Sequence, residues 1–317
     1  MEGRVSRAVL LGPQRHEPNL AEAVDSLATE GTLAAVTAGW EEREAEDKEL
    51  IEHLSRPVRN LALFPRGQEI LMADRELFEE RRRRQDRLRA LRELYLVQLG
   101  ALMEVAGELL AHEESASDGS WWSEEAESAI ASVRELDHRH AERVRQVMAD
   151  FEDRMRVAER PSIVRHREAV GAILDEAGLL CIAGGHVGVL LEHLQLFDVI
   201  GRWTSRADRP LVAWSGGAMV ACERVVLFHD RPPEGRGGAE VHAPGLAAVP
   251  GVVALPHAAT RLRLEDRARV ALFARRFEPS VCFALDRRAR LDWVEGRWHA
   301  APGTRSLGRG GSLEEPS

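Results

Sequence analysis

Cysteine is scarce in this chain. Three occur in 317 residues, Cys181, Cys222 and Cys282. Each sits among apolar neighbours and none has metal-ligand spacing, so the thiols read as reduced core residues rather than staples or zinc ligands. Net positive charge is missing as well: 43 Lys and Arg face 52 Asp and Glu, giving a formal charge of −9. No surplus of cations remains to neutralise phosphates, which excludes a general nucleic-acid binder. The basic run "RRRR" at 81–84 lies among acids and reads as a solvated helix face. Long apolar runs are absent too. The opening "MEGRVSRAVLLGPQ" is too short in apolar residues for a secretory signal, and no later run reads as a bilayer span. A cytoplasmic protein with no membrane partner is expected. No internal repeat is visible.

What is present is an α/β alternation. "RAVLLG" (7–12), "TLAAVTAG" (32–39) and "RNLALFP" (59–65) read as buried strands, with a helix over 19–31 that Asn19 begins and Gly31 stops. From about 73 to 112 a helical period takes over through Leu77, Leu88, Leu91, Tyr95, Leu99, Leu102 and Leu109. After the turn-rich "HEESASDGSWWSEE" (112–125) it resumes through Ile130, Val133, Val144, Val147, Phe151 and Met155. Two such helices need each other's apolar faces, so 73–160 is expected to be an antiparallel hairpin inserted into an α/β domain formed by 1–72 and 161–300. The leucine stripe serves as hairpin core or as a dimer seam, and Trp121-Trp122 would cap the hairpin's own core. Beyond Pro161 the alternation returns, with strands over 179–185, 210–214 and 251–257 and helices over 166–178, 187–203 and 262–277. A hairpin over 281–298 turns at Asp286–Ala289, and 301–317 reads as a disordered tail.

The stretch "PLVAWSGGAMVACERVVLFHD" (210–230) carries the chemistry. A strand ends in Ser215, and Gly216, Gly217 and Ala218 follow at once. A nucleophile elbow needs this order, because the turn is crowded and the amide after the serine must stay available to an oxyanion. Small residues also occur where a helix merely packs closely on a sheet. A working serine needs a base and an orienting acid. Asp230 follows "RVVLF" and His257 follows "GVVALP", so both fall at strand ends. Glu223 could replace Asp230 in this role. The strand end Gly184-Gly185-His186 offers a second backbone donor. His138 and His140 do not share a helix face, and no metal or other cofactor is expected. His229 and His242 read as surface residues.

Three segments in order, "AGGHVGVLL" (183–191), "AWSGGA" (213–218) and "GLAAVPGVVALPHAATRLR" (245–263), resemble the dipeptidase E and cyanophycinase serine peptidases. The fold of that family is related to class I glutamine amidotransferases. The resemblance implies a mostly parallel, flavodoxin-like sheet with helices on both faces. It implies Ser215 as nucleophile, His257 as general base and Asp230 as its orienter, with the amides of Gly185 and Gly216 as oxyanion donors. Arg261 and Arg263 fall on two family arginines that could hold a substrate carboxylate, although both could equally be solvated. His186 stands where the family has asparagine, Leu255-Pro256 replace a polar pair, and Ala258 replaces an aromatic residue. These positions line the family's pocket, so its substrate preference does not carry over.

The expected activity is a serine hydrolase cleaving an amide bond of a small peptide or acylated amino compound through an acyl-enzyme. Glutamine amidotransfer is disfavoured, since it uses cysteine at the elbow. The alternatives are an acyltransferase using the same serine, or a silent binding or scaffold protein whose helical insertion is the working surface. Expected partners are the small substrate and, through the leucine stripe, a possible homodimer.

Overall fold

The computed structural model describes residues 4–115, 120–206, 208–230 and 237–315. Short, wholly apolar runs make the central strands: β1 (Ala8–Leu11), then α1 (Leu20–Ser26), β2 (Thr32–Val36), α2 (Lys48–Leu54) and β3 (Val58–Asn60). The run at 59–65 yields only the end of β3. Ala62 turns to φ 50°, and α3 (Leu63–Ala73) begins at Leu63. Glu44 draws the chain into that helix by accepting the amides of Leu63 and Phe64 at 3.2 and 2.6 Å, so the orphan donors of its first turn are satisfied.

Two long helices follow, α4 (Arg75–Ser115) and α5 (Ser120–Met155), packed on each other along their length. The turn-rich segment expected at 112–125 is helical on both sides, and 116–119 lie outside the described residues. Trp121 does not cap the hairpin: it is 73% exposed, while Trp122 stacks on His112 at 4.6 Å. At the base, Arg160 clasps Asp74 with two hydrogen bonds of 2.6 and 2.8 Å, joining the residue before α4 to the one before α6 (Pro161–Glu176).

Next come β4 (Ala177–Ile182), α7 (Val187–Leu196), α8 (Val199–Thr204), β5 (Leu211–Trp214) and α9 (Gly216–Ala221). Asp198, at φ 48°, divides what reads as one helix over 187–203 into α7 and α8. The chain continues through β6 (Arg224–His229), β7 (Gly237–Pro244), β8 (Val252–Pro256), α10 (Ala258–Arg261) and α11 (Arg267–Phe277). It ends with β9 (Val281–Leu285), β10 (Arg290–Val294), β11 (Arg297–Ala300), β12 (Arg305–Leu307) and β13 (Leu313–Glu314).

The strands form mixed sheets with helices on both sides. The main sheet has seven strands in the order β11-β10-β1-β5-β4-β2-β3, parallel from β1 to β3 and antiparallel at β10 and β11. A four-stranded sheet, β13-β12-β9-β8, and the β6-β7 pair stand apart from it. The hairpin expected over 281–298 is therefore split. β9 pairs with β8, whereas β10 crosses to the free edge of β1 and turns into β11 at Glu295-Gly296, both with positive φ. The tail is not the disordered segment expected from its composition. β12 pairs with β9, and the buried Thr304 hydroxyl accepts from the Arg290 amide and donates to its carbonyl, at 2.9 and 3.1 Å.

One polar network fastens the long helices to the sheets. Arg276, on α11 and only 1% exposed, donates to both carboxylate oxygens of Asp137 (2.7 and 2.6 Å), to Tyr95 Oη (3.0 Å) and to the Ala239 carbonyl (2.7 Å). Tyr95 donates to Asp137 at 2.7 Å and accepts from the Val241 amide at 3.0 Å. All three cysteines are buried free thiols, and burial pushes those of Cys181 and Cys222 up to about 12.

Candidate functional site

The C-terminal ends of β1, β4, β5 and β8 meet where open α/β sheets place their sites. At the end of β5 the chain turns directly into α9, and the turn residue, Ser215, has φ 52° and ψ −123°. A non-glycine residue in that region costs about 1–3 kcal/mol and persists only where its surroundings enforce it. Ser215 is held on one side by its amide, which donates to the Leu11 carbonyl at 3.0 Å. On the other side the α9 backbone presses against β4. A methyl on Gly217 would lie 2.2 Å from the Ile182 carbonyl oxygen, and one on Gly184 would lie 2.9 Å from Ser215 Cβ. The small residues after the serine are thus required by contact.

The same packing brings the β4–α7 loop beside the serine. A methyl on Gly216 would stand 3.4 Å from the Gly185 nitrogen, so these two backbone segments are neighbours. Neither the Gly185 nor the Gly216 amide donates a hydrogen bond to another described residue. Buried backbone donors are nearly always paired; here the buried Gly216 and the exposed Gly185 leave two N–H groups free next to a half-buried hydroxyl. His186 follows at the start of α7, where its Nδ1 accepts from the Val189 amide at 3.2 Å.

His257 ends β8 with φ 60°, and its amide donates to the Leu285 carbonyl at 3.2 Å. Gly12 links this strand end to the serine: it follows Leu11, and a methyl there would fall 1.8 Å from the Asp286 carbonyl oxygen. Ser215 ends a strand of the main sheet and His257 a strand of the four-stranded sheet, and the close approach of Gly12 to Asp286 joins the backbone that holds the one to the backbone that holds the other, with no hydrogen bond between the two residues. Asp230 is occupied elsewhere. Its carboxylate, 5% exposed, is paired with Arg269 at 2.6 and 3.1 Å and accepts from the Arg263 amide, while its own amide donates to the Arg261 carbonyl at 2.8 Å. It braces the segment after His257. The carboxylate acting on the His257 ring is Asp286, which also accepts the Ala259 amide at 3.0 Å.

No model of a known family matches the chain, and no curated protein matches it. Solved structures do. A peptidase from an acI-B1 Actinobacterium aligns over 97% of this chain and 93% of its own, at 14% identity and a TM-score of 0.47. Likeness at that level leaves activity to be argued from this chain's own residues.

Burial, reinforced by the Arg261 charge and opposed by Asp286, holds the His257 ring below the ordinary imidazole value. It is a neutral base at neutral pH. Arg261 is half-buried and makes no ion pair among the described residues, whereas Arg263 is exposed and paired with Asp266 at 3.2 Å. His242 is not a surface residue: its Nδ1 is buried without a partner, and burial holds the ring neutral beside His186. Two residues escape sequence reasoning. Asp286 lies in what reads as a hairpin turn. Glu41, in the turn after β2, repeats the Ser215 conformation at φ 58° and ψ −125°, two residues from Gly39, whose carbonyl accepts the His186 amide at 2.7 Å. No periodicity marks either: the β8–β9 pairing brings Asp286 beside His257, and the Glu41 turn lies next to Gly39, which packs on the Gly184–His186 backbone.

Proposed function

We propose that this chain is a serine hydrolase of the peptidase or amidase type, with a core of the class I glutamine amidotransferase kind as in the dipeptidase E and cyanophycinase peptidases. Ser215 Oγ attacks the carbonyl carbon of a small peptide or acylated amino compound. His257 takes the hydroxyl proton and later gives it to the leaving amine. Water then attacks the acyl-enzyme, with His257 again as base. The tetrahedral oxyanion sits between the amides of Gly185 and Gly216, each donor being worth about 2.7–4 kcal/mol in the transition state. Asp286 replaces Asp230 as the acid that favours imidazolium. Arg261 is the cation available to a substrate carboxylate, and His186 keeps Nε2 for a ligand while Nδ1 caps α7.

The observation that carries this reading is the enforced backbone of Ser215 beside two unbonded amides. Labelling with a broad serine-directed fluorophosphonate, followed by turnover of a dipeptide library, tests it. The wild type should label, and Ser215→Ala and His257→Ala should not. Turnover should fall at least about 10³-fold in both. Labelling that survives Ser215→Ala, or a wild type that neither labels nor turns over any dipeptide, would overturn it.

A further inference from the structure

Among the described residues, three of the exposed large apolar side chains lie together on α4. That helix holds an 18-residue stretch with mean hydropathy 1.4, of which only 22% is buried. Its inner face is used: Tyr95, Leu99, Ala106 and Leu110 are buried in the main core. The outer face carries a second apolar stripe, Ala90, Leu94, Val97, Ala101 and Val105, at spacings of three and four that align on one side. Leu94 is 59% exposed, Val97 78% and Val105 50%. A contiguous apolar face rimmed by charge marks an interaction site.

The rim identifies the occupant. On this same face Arg83 and Arg87 precede the stripe, and Glu104 and Glu108 flank its last member, Val105. We infer that α4 is a self-association seam, along which a second copy of this chain lies antiparallel. A twofold axis through the Leu94–Val97 turn sets Leu94 against Val97, Ala90 against Ala101, Arg87 against Glu104 and Arg83 against Glu108. From Leu94 and Val97 out to Arg83 and Glu108 these four pairs are complementary when reversed, the condition for a twofold interface, while Val105 falls against Asp86 at its edge. Glu104 and Glu108 make no ion pair among the described residues. Arg83 has only Glu80 on its own helix, and Arg87 only Asp150 at 3.7 Å, both partners of Arg87's pair being half exposed. Exposed pairs of this kind contribute little and exchange readily. The seam from Arg83 to Glu108 spans about 37 Å at 1.5 Å per residue, and the alanines let the helix axes come close. By length and composition alone α4 could cross a bilayer, contrary to the sequence expectation. Its inner face is packed on α5 and α11, however, and anionic headgroups would oppose Glu104 and Glu108.

Sedimentation equilibrium of the full chain from about 1 to about 100 µM tests this. The wild type should be a dimer. Leu94→Glu with Val97→Glu should be a monomer with unchanged far-UV circular dichroism and unchanged fluorophosphonate labelling. The pair R83E/R87E and the pair E104R/E108R should each raise the dimer Kd at least about tenfold, and mixing the two proteins should restore a one-to-one heterodimer. A monomeric wild type throughout that range overturns the seam, as does a dimer that Val97→Glu leaves intact. A wild-type monomer that pelletes with phosphatidylcholine–phosphatidylglycerol vesicles through Val97 overturns it in favour of lipid. The oligomeric state, the circular dichroism and the vesicle result do not depend on the chemistry of Ser215.

Discussion

At the scale of single residues, the reading turns on charge around one imidazole. If His257 is the base, the acid limb of the kcat/KM–pH profile reports its ionisation, since only the neutral ring accepts a proton. Burial and Arg261 hold the ring below its ordinary value, so the limb should fall below about pH 6.5. Arg261→Gln removes a cation and should move the limb to higher pH. Asp286→Asn removes the favourable carboxylate, and should move it lower and reduce kcat. Asp230→Asn should leave the limb in place, because Asp230 faces Arg269. A limb that follows Asp230 and ignores Asp286 would reverse the assignment. The serine and its small neighbours were legible in the sequence, because strain and crowding dictate residue type. The partner of the histidine was not. Asp230 has the right distance along the chain, but a half-buried arginine from a later helix claims it, and nothing in the spacing of "RVVLFHD" announces Arg269.

Among the elements, α4, α5 and α11 are coupled by a fully buried ion pair. Removing one partner of such a pair leaves an uncompensated charge and costs about 3–5 kcal/mol. Asp137→Ala should therefore lower the urea midpoint sharply, whereas Asp137→Leu with Arg276→Met, which removes both charges, should restore much of the loss. Equal destabilisation by the single and double changes would show that the arginine is not what strands the network. Helices and central strands could be read from periodicity because their burial has a period. The assignment of strands to sheets could not. "VCFALDRRARLDWV" has the form of a hairpin, yet the open edge of β1 and the open edge of β8 each take one of its strands. Likewise β12 and β13, of three and two residues, are too short to carry a period, so the tail looks structureless until β9 is there to receive it.

Across the whole molecule, five histidines share one electrostatic state. Burial holds His140, His166, His193, His242 and His257 below the ordinary value. The unfolded chain therefore binds more protons than the folded one once the pH falls through about 6.5, and stability is lost from there downward. Asp74, held low by Arg160, and Glu192, which burial would raise but Arg81 and Arg84 hold down to about 2, add a further loss in stronger acid. Glu44 and Glu152, raised by burial, act in the opposite sense near the carboxylate range. The urea midpoint should fall continuously between pH 7 and pH 5; a flat profile there would mean that these rings protonate without cost. All but one of the 43 Lys and Arg are arginine, and several ion pairs, including Arg160 with Asp74 and Arg276 with Asp137, are of the forked kind that fixes direction as well as distance. That clasp has an evolutionary consequence. The chain enters and leaves the long helices at one point, so a single deletion or acquisition of the whole excursion would leave the order of every strand unchanged. Arg276 sets the sequence of events: a lineage losing the helices would first have to neutralise position 276, or inherit a core with an orphaned cation.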